Sequence, residues 1–362
     1  MNELEQRREE IREVDEQMAK LFERRMRISE DVAAYKVRSG LPIFDEKQEA
    51  KVIAGRSLLI EDPVLRDYYT LFLRKTMDLS KAYQGRLMKG MKVAYSGAPG
   101  AFAQIAATRV FPEAKLISCP DFETAYKACE DGLADVVILP IENSYAGDVG
   151  SVMDLSFNGN LYINMMLEMD VTQNLLGLHG AHESEIRTVV SHPQALHQCA
   201  GYLREHGIKE QEFENTALAA QFVAQQGDPS VGAIASAETA KIYGLDILKA
   251  DINSSSQNTT RFATFSRTMN VSTGLGDEHF ILVFTVRNEA GALAKTLNII
   301  GSHGFNMSNL HSRPVKGPLW NHYFFAELEG SVNSEDGEDL LRQMRTVCDN
   351  MKLLGSYKRV GV

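Results

Sequence analysis

Long apolar runs are missing from this 362-residue chain, and its start has no apolar core. A membrane-spanning helix needs about 18 or more consecutive apolar residues, and no run approaches that length. The segment MNELEQRREEIREVDEQ is charged from Glu3 onwards, whereas a secretory signal would contain an apolar stretch. We therefore expect a soluble, cytoplasmic protein with no membrane partner.

Cysteine, proline and positive charge are also scarce. The four cysteines have no CxxC spacing, which suits a reducing compartment and offers no zinc framework. Only ten prolines argue against long disordered stretches. A net charge of -10, with a pI near 5.5, would repel a phosphate backbone, so nucleic acid is a poor candidate partner. We predict no metal and no other cofactor.

The length exceeds what one hydrophobic core usually supports, so we expect two or three domains. Hydrophobic residues make up 44% and charged residues 24% of the chain, which is typical of globular proteins.

The first segment, residues 1–90, has the pattern of long helices. Neither Pro nor Gly occurs in residues 2–38, which predicts one helix of about 55 Å. Two further helices are expected, from Asp45 to about residue 61 and over about 64–87. A rod this long needs partners to cover it. Its apolar residues repeat every seven positions in two rows: Leu4, Ile11, Met18 and Val32, and Val14, Leu21, Ile28 and Tyr35.

Arg25 occupies a position in the first row where an apolar residue is expected. A charge between helices must find an anion, because an unpaired buried charge is strongly destabilising. For any isolated pair, a solvated charge or an internal salt bridge is the ordinary interpretation. The other polar side chains that can converge with it are Lys36, the pair Asp45 and Glu49, and the pair Ser80 and Gln84.

Together these residues resemble the all-helical chorismate mutase family. The pattern comprises Arg8, Ile11, Val14 and Asp15, then Glu23-Arg24-Arg25, Lys36, Asp45, Glu49 and the segment SKAYQ at 80–84. The resemblance implies the following roles: Arg8, Arg25 and Ser80 at the substrate carboxylates, Lys36 and Gln84 at the ether oxygen, and Asp45 and Glu49 at the ring hydroxyl. A pericyclic rearrangement needs only a pocket that folds the substrate and stabilises charge on oxygen.

Two features qualify this mutase assignment. The family commonly has Arg where this chain has Gln48, which leaves open weaker substrate binding there or an inactive domain. Arg8 and Arg25 are about 25 Å apart along one helix, so they cannot both hold one small ligand within a single chain. Arg8 should serve a partner's site, which predicts an intertwined homodimer or a homotetramer.

Residues 91–270 alternate apolar strands with helices, an α/β pattern. Polar clusters follow the strands, where open α/β sheets place ligands. Each has an ordinary structural explanation as a helix cap or turn. The clusters are Glu142-Asn143-Ser144, Ser191-His192-Pro193-Gln194 and Asn258-Thr259-Thr260-Arg261-Phe262, with the loop 96–101 after the first strand.

In order, the motifs GAPG, PIENS, SHPQALHQC and TTRF resemble those of the prephenate dehydratase family. The resemblance implies a bilobed α/β fold, similar to periplasmic binding proteins, with the motifs in the cleft between the lobes. It implies that Thr260 is the catalytic residue. The residues that it implies for the pocket are Asn143, Ser144, Ser191, Gln198 and Arg261.

Prephenate loses carbon dioxide and hydroxide together as an aromatic ring forms, so little assistance is needed. A threonine hydroxyl is a poor acid, so we interpret Thr260 as a hydrogen-bond donor to the departing hydroxyl. For His192, beside Pro193, a structural hydrogen-bonding role is favoured over catalysis. Tyr145 stands where the family often has a smaller residue, and it could narrow the cleft.

Residues 278–357 have the order strand, helix, strand, strand, helix, strand, which is ferredoxin-like. The motifs GAL and SRP resemble those of the ACT regulatory domain, which implies allosteric phenylalanine bound between paired α+β domains. The residues assigned to this site are Gly291, Ala292, Leu293, Asn306, Ser312, Arg313 and Pro314. The family usually has Glu where this chain has His311, so feedback inhibition could be weaker or pH-sensitive.

The resemblances together imply an enzyme that converts chorismate to prephenate and prephenate to phenylpyruvate. Three alternatives stay open: a ligand-binding sensor whose helical rod only dimerises, a dehydratase that prefers arogenate, and a mutase domain that Gln48 has inactivated. The charged helical row and TTRF argue against the sensor. Assays with chorismate and with prephenate separate the others.

Overall fold

The structure is a computed structural model that describes residues 2–39, 46–112, 114–254, 258–269, 278–315 and 322–361. The chain divides into two compact units, Met1–Lys92 and Val93–Val362. No helix among the described residues is long and apolar enough to cross a membrane.

Three helices form the first unit: α1 (Glu3–Ser39), α2 (Glu46–Ser57) and α3 (Pro63–Lys89). The predicted rod is confirmed as one helix of 37 residues. The second helix ends at Ser57, earlier than predicted. Asp62 caps α3, because its carboxylate accepts hydrogen bonds from the backbone N–H groups of Val64 and Leu65, at 2.8 and 3.1 Å.

The apolar rows of α1 are exposed within the single chain. Leu4, Ile11, Val14 and Leu21 each keep more than half of their surface accessible, although α1 packs against α3. Several apolar residues of α3 are equally open, among them Leu65, Tyr68 and Leu71. Contiguous apolar surface on a soluble domain marks an interaction face.

The second unit begins with two α/β lobes. Their helices are α4 (Phe102–Val110), α5 (Phe122–Glu130), α6 (Gly150–Asn158), α7 (Pro193–Gln198), α8 (Ala200–Glu205), α9 (Thr216–Gln226) and α10 (Ala237–Tyr243). Their strands are β1 (Lys92–Ser96), β2 (Lys115–Cys119), β3 (Val136–Asn143), β4 (Gly147–Asp148), β5 (Tyr162–Asp170), β6 (Asn174–Gly177), β7 (Thr188–Ser191), β8 (Lys209–Glu212), β9 (Val231–Ala235), β10 (Asp246–Lys249) and β11 (Thr259–Ser266).

Each lobe is built on its own sheet. The first has the strand order β5-β11-β3-β1-β2, with β4 paired to β3, and the second has the order β10-β6-β9-β7-β8. The chain crosses between the lobes after β5 and again before β11. Residues near these crossings therefore lie where the two lobes face each other.

The remaining elements are β12 (Glu278–Thr285), α11 (Ala292–Ser302), β13 (Asn306–Pro314), β14 (His322–Glu329), α12 (Glu335–Val347) and β15 (Asn350–Gly361). They form the predicted ferredoxin-like arrangement, with strand order β13-β14-β12-β15. The far end of β15 pairs in parallel with β5, from Arg359 opposite Met166 to Gly361 opposite Glu168. The sheet of this domain is therefore continuous with the sheet of the first lobe.

Gly355 allows β15 to pass close to β5. A side chain there would place its Cβ 1.9 Å from the carbonyl oxygen of Ile163, a distance that no Cβ atom tolerates. Next to it, the pairing of β15 with β12 shifts register. The local bulge and the missing side chain together let β15 pair with both β12 and β5.

The predicted fold class is confirmed in its order: helices, then a bilobed α/β region, then an α+β domain. Sequence patterns missed α6 and the short strands β4, β6, β8 and β10. The segment KEQE of β8 is exposed throughout and shows no apolar alternation. Two helices follow His192, α7 and α8, and they meet at Cys199.

Candidate active sites

In the first unit, Arg25 faces α3. Its guanidinium donates hydrogen bonds to the carbonyl oxygen of Thr76, at 3.2 Å, and to the hydroxyl of Ser80. Burial lowers the pKa of Arg25. Gln84, one turn beyond Ser80, is buried, and its Oε1 has no hydrogen-bond partner among the described residues. The structure thus brings Arg25 and Ser80 together between α1 and α3, with Gln84 buried one turn further along α3.

The other predicted mutase residues do not join this group within the described chain. Arg8 is exposed near the start of α1, seventeen residues from Arg25. Asp45 and the side chains of Lys36, Gln48 and Glu49 lie outside the described part of the structure. Their predicted roles stay predictions.

In the second unit, a cleft of about 560 Å³ opens between the two lobes. The first lobe contributes Asn143, residues 146–150 and Thr260, and the second contributes His192, Gln194 and Gln198. Gln173 and Val171 line it at the crossing after β5. Three predicted residues, Asn143, Gln198 and Thr260, therefore share one cavity.

Asn143 and Thr260 are direct partners on β3 and β11, and Asn143 sets the direction of the hydrogen bond between them. Its Oδ1 accepts the backbone N–H groups of Tyr145 and Ala146, at 3.0 and 2.8 Å. Since backbone N–H groups can only donate, Nδ2 must face Thr260, where it donates to Oγ1 at 2.9 Å. The proton of the Thr260 hydroxyl is left for another acceptor.

A chain of carboxamides continues from this pair into the cleft. Asn258 donates from Nδ2 to the carbonyl oxygen of Val171, at 3.0 Å, and its Oδ1 accepts from Asn143 at 2.9 Å and from Gln198 at 3.4 Å. Gln173 donates in turn to Oε1 of Gln198, at 3.3 Å. The fixed backbone partners at Asn143 and Asn258 orient every amide in the chain.

Ser144 and Ser191 hold the backbone rather than line the cleft. The hydroxyl of Ser191 is fully buried and donates to the carbonyl oxygen of Ile234 on β9, at 2.6 Å. The hydroxyl of Ser144 accepts the backbone N–H of Thr259 at 3.0 Å, which ties the PIENS turn to β11. Both therefore support the cleft from outside its lining.

Arg261 is placed differently from the prediction. It is not among the residues that line the cleft, and its guanidinium binds Glu142 at 3.0 Å and Glu327 of β14 at 2.7 and 2.8 Å. The physical reason is the alternation of side chains along β11, which points Arg261 away from the face that carries Thr260. Burial alone would lower the pKa of Arg261, but hydrogen bonds and the charge of Glu327 raise it.

Three neighbouring residues have local partners. Thr259 donates its hydroxyl to Asp170, at 2.7 Å, and points out of the cleft lining. His192 caps α7, since its Nδ1 accepts the backbone N–H of Gln194 at 3.2 Å, and burial lowers its pKa. Tyr145 does not line the cleft; its ring lies 5.8 Å from the ring of His197.

Sequence patterns missed Gln173 and Asp148, and noted Asn258 without giving it a role. Gln173 follows a strand in an unremarked segment, and Asp148 belongs to the two-residue strand β4. No motif marks either position. Their recognition required the pairing of β3 with β4 and the crossing of the chain between the lobes.

The predicted phenylalanine residues lie at three places in the last domain: the start of α11, the start of β13 and the end of β13. Gly291 precedes α11 with a left-handed φ of 82°, and Ala292 and Leu293 open that helix. Asn306 starts β13 and donates to Glu329, at 2.9 Å. Ser312, Arg313 and Pro314 end β13, where Arg313 forms an ion pair with Asp154 of α6, at 3.0 Å, and hydrogen bonds and charge of Asp154 raise the pKa of Arg313.

His311 also reaches the catalytic lobes. Its Nδ1 lies 2.6 Å from Asp148, and the ligand atoms of His311, Asp148 and Glu142 lie within 4.8 Å of one another. Such a group could hold a cation by spacing alone, but Arg261 donates to Glu142 and His311 pairs with Asp148. Each of the two carboxylates therefore already has a side-chain partner.

Comparison with known proteins places each part of the chain. The family model of chorismate mutase type II matches residues 7–85, that of prephenate dehydratase matches 93–270, and that of the ACT domain matches 280–346. These define the class: a helical mutase domain and a dehydratase domain followed by a regulatory domain.

Whole-chain relatives carry the same order. A bifunctional chorismate mutase/prephenate dehydratase of Aquifex aeolicus is 30% identical over 367 residues, covering 99% of this chain and 99% of its own. The arogenate dehydratase/prephenate dehydratase 1 of Arabidopsis thaliana is 33% identical over 281 residues, covering 74% of this chain and 72% of its own.

Two solved structures are each similar to 74% of this chain. The prephenate dehydratase of Arthrobacter aurescens in complex with L-Phe has a TM-score of 0.69 at 27% identity, covering 74% of this chain and 90% of its own. A structure titled GqqA, a novel type of quorum quenching acylase, has a TM-score of 0.69 at 30% identity, covering 74% of this chain and 98% of its own.

The chain belongs to the family of bifunctional chorismate mutase/prephenate dehydratases. It is an enzyme of phenylalanine biosynthesis with an isomerase domain, a lyase domain and an ACT domain.

Proposed function

We propose that Thr260 assists the dehydratase step: its hydroxyl donates a hydrogen bond to the departing hydroxyl of prephenate. The observation that carries this proposal is the orientation of Asn143, whose amide donates to Thr260 and leaves that proton free for the substrate. An oriented donor in the cleft stabilises charge that develops on the leaving oxygen.

The rest of the reaction asks little of the protein. As the ring carboxylate leaves as carbon dioxide, its electron pair enters the ring and the hydroxyl departs with its own pair. The aromatic product supplies the driving force. Asn143 orients the donor, and Gln198 forms part of the cleft wall. Ser144 ties the turn after β3 to β11, and Ser191 ties β7 to β9.

The direct test replaces Thr260 with Ala and uses Thr259→Ala as the matched control. Thr260→Ala should lower kcat for phenylpyruvate formation by about 10²- to 10⁴-fold, the usual contribution of a positioned proton donor. Thr259, whose hydroxyl binds Asp170 outside the cleft, should tolerate the change.

Mutase activity, measured on the same preparations with chorismate, should stay constant because it belongs to the first unit. An equal loss of dehydratase activity in both variants would contradict the role of Thr260. Running each preparation with prephenate and with arogenate also shows which substrate the cleft prefers; we propose prephenate.

For the mutase, we propose that Arg25, Lys36, Glu49 and Gln84 act on chorismate with Arg8 of a second copy, while Asp45, Gln48 and Ser80 bind it. Arg25 and Ser80 already meet, whereas Arg8 lies too far along α1 to join them. The exposed apolar rows of α1 would be covered in such a homodimer, or in a tetramer built from it.

For regulation, we propose that phenylalanine binds between paired ACT domains at Gly291–Leu293, Asn306 and Ser312–Pro314. The support is the left-handed Gly291 at a helix start, which lets a ligand approach backbone N–H groups. The expected effect of His311 on feedback stays a prediction. The enzyme is proposed to act in the cytoplasm.

A further inference from the structure

Two adjacent cross-strand pairs connect the cleft with the ACT domain. Thr260 pairs with Asn143, and the next pair along the same strands is Arg261 with Glu142. Successive side chains of a strand point to opposite faces. The first pair therefore faces the cleft, while the second faces the ACT sheet, where Arg261 meets Glu327.

Glu327 is held in one arrangement. It lies on β14 with 1% of its surface exposed, and its two carboxylate oxygens accept separate hydrogen bonds from Arg261, at 2.7 and 2.8 Å. The hydroxyl of Tyr357 donates to the same carboxylate. Two parallel bonds between a guanidinium and a carboxylate fix orientation as well as distance.

We propose that Glu327 is a positioning residue of the dehydratase: through Arg261 it fixes β11 against β3, and so Thr260 against Asn143. The inference rests on the proposed role of Thr260. A misplacement of about 1 Å at a catalytic group can cost about 10²-fold in rate, so a small shift of β11 is enough to matter.

Other described contacts of the ACT domain with the lobes reach β3, β4, β5 and α6. His311 pairs with Asp148 of β4, Asn309 donates to Glu142 of β3 at 3.5 Å, and the end of β15 pairs with β5. Arg313 and Tyr323 bind Asp154 of α6, and Lys352 donates to carbonyl oxygens at the end of that helix. Neither Asp154 nor the end of α6 touches Thr260. Glu327 differs from these contacts because its two bonds are to Arg261, the residue next to Thr260 on β11.

The same link gives the ACT domain a way to influence the reaction. Strand β14 is paired along its length with both β12 and β13, and β13 carries Ser312 and Arg313 of the proposed effector site. A ligand that favours one arrangement of β13 therefore biases β14 and Glu327. An effector shifts such an equilibrium only by its differential affinity for the two arrangements.

The test is Glu327→Gln, which keeps the side-chain shape but replaces one acceptor oxygen with a donor that faces Arg261. We expect kcat with prephenate to fall about 10- to 100-fold, with little change in KM. Inhibition by phenylalanine should weaken, while phenylalanine binding measured by calorimetry persists. Chorismate mutase activity of the same chain should not change.

The matched control is Tyr323→Phe, which removes another hydrogen bond from β14 to a carboxylate of the lobes, that to Asp154 at 2.8 Å. It should lower stability without lowering kcat. If Glu327→Gln does not fold, Arg261→Lys tests the same link, because it keeps the charge but loses the two parallel bonds.

Unchanged kcat and unchanged inhibition in a folded Glu327→Gln or Arg261→Lys variant would overturn the inference. An equal fall in kcat in Tyr323→Phe would overturn it as well, since the effect would then be general loosening. Thr260→Ala, assayed alongside, separates the two proposals: if that variant keeps its dehydratase activity, the role of Thr260 is what fails.

Discussion

Asn143 illustrates how one side chain can set the chemistry of another. The residue was expected in the pocket from the PIENS motif, but its orienting role follows only from the backbone N–H groups of Tyr145 and Ala146. Those contacts depend on the turn after β3. A motif identifies the residue type, whereas the direction of its hydrogen bonds depends on neighbours that the motif does not specify.

Replacing Asn143 by Asp tests this orientation at Thr260. A carboxylate oxygen in place of Nδ2 can only accept, so the Thr260 hydroxyl would donate to it instead of to the substrate. We expect dehydratase kcat to fall about 10²- to 10⁴-fold, measured as phenylpyruvate formation.

The control for this change is Asn164→Asp on β5. Asn164 also donates from Nδ2, to Ser266 and Thr268, but at the far end of β11. The Asn164→Asp variant should keep the dehydratase kcat of the unsubstituted enzyme. A comparable loss in both variants would mean that any buried charge in this sheet disturbs the cleft.

At the same scale, the sequence grouped Arg25 with Ser80 and Thr260 with Asn143, and each pair is hydrogen-bonded in the structure. The described partners of Arg25 are a neutral hydroxyl and a carbonyl oxygen, not the anion that its position led us to expect. The sequence could not tell which face of β11 carries Arg261, because the partner Glu327 is 66 positions away. Ser191 shows the same limit: its motif position suggests a cleft residue, yet its hydroxyl binds the neighbouring strand. Long-range pairing decides both cases.

Among the elements, those with strong periodicity were predicted and those without it were missed. The uninterrupted α1 and the apolar strands β3 and β5 have clear patterns. Strand β4 has two residues and α6 nine, and neither carries an alternation or a capping side chain that would reveal it. Both nevertheless line or support the cleft.

Strand β15 offers a stability test at this scale. Gly355→Ala should destabilise the second unit by about 1–3 kcal/mol or more, because the new Cβ would collide with the backbone of Ile163. Unfolding in urea measures the change.

Gly301→Ala is the counterpart in α11. Nothing lies within 4 Å of its added Cβ, and the change should stabilise by about 0.4–1 kcal/mol through the unfolded chain. The free energy of unfolding should therefore fall in Gly355→Ala and rise in Gly301→Ala. Destabilisation by both would show that the ACT domain tolerates no added methyl group, whatever the space.

For the whole molecule, the length of α1 supports the proposal that two chains share each mutase site. The predicted separation of Arg8 from the remaining residues holds within one chain, where Arg8 is exposed and Arg25 meets Ser80. The sequence could predict this because helix length follows from residue count. It could not predict how two such helices pair.

A mixing experiment tests the shared site. Arg8→Ala and Arg25→Ala should each lose mutase activity, yet a mixture that exchanges subunits should recover about a quarter of the wild-type rate, since half the dimers would hold one intact site of two. Prephenate turnover serves as the reference.

Failure to recover activity, when sedimentation shows that subunits have exchanged, would contradict the two-chain site. Full activity of the Arg8→Ala variant alone would contradict the role of Arg8. A monomer that retains the mutase rate on dilution would do the same.

The pairing of β15 with β5 has a practical consequence for anyone who wants a strain that overproduces phenylalanine. Truncating the gene before the regulatory domain would strip a neighbour from β5, leaving an open sheet edge of the kind that promotes aggregation. The truncation would also remove Glu327, to which the guanidinium of Arg261 donates two hydrogen bonds. An enzyme that no longer responds to phenylalanine is better sought through single substitutions that keep the pairing of β15 with β5 and the bonds between Arg261 and Glu327.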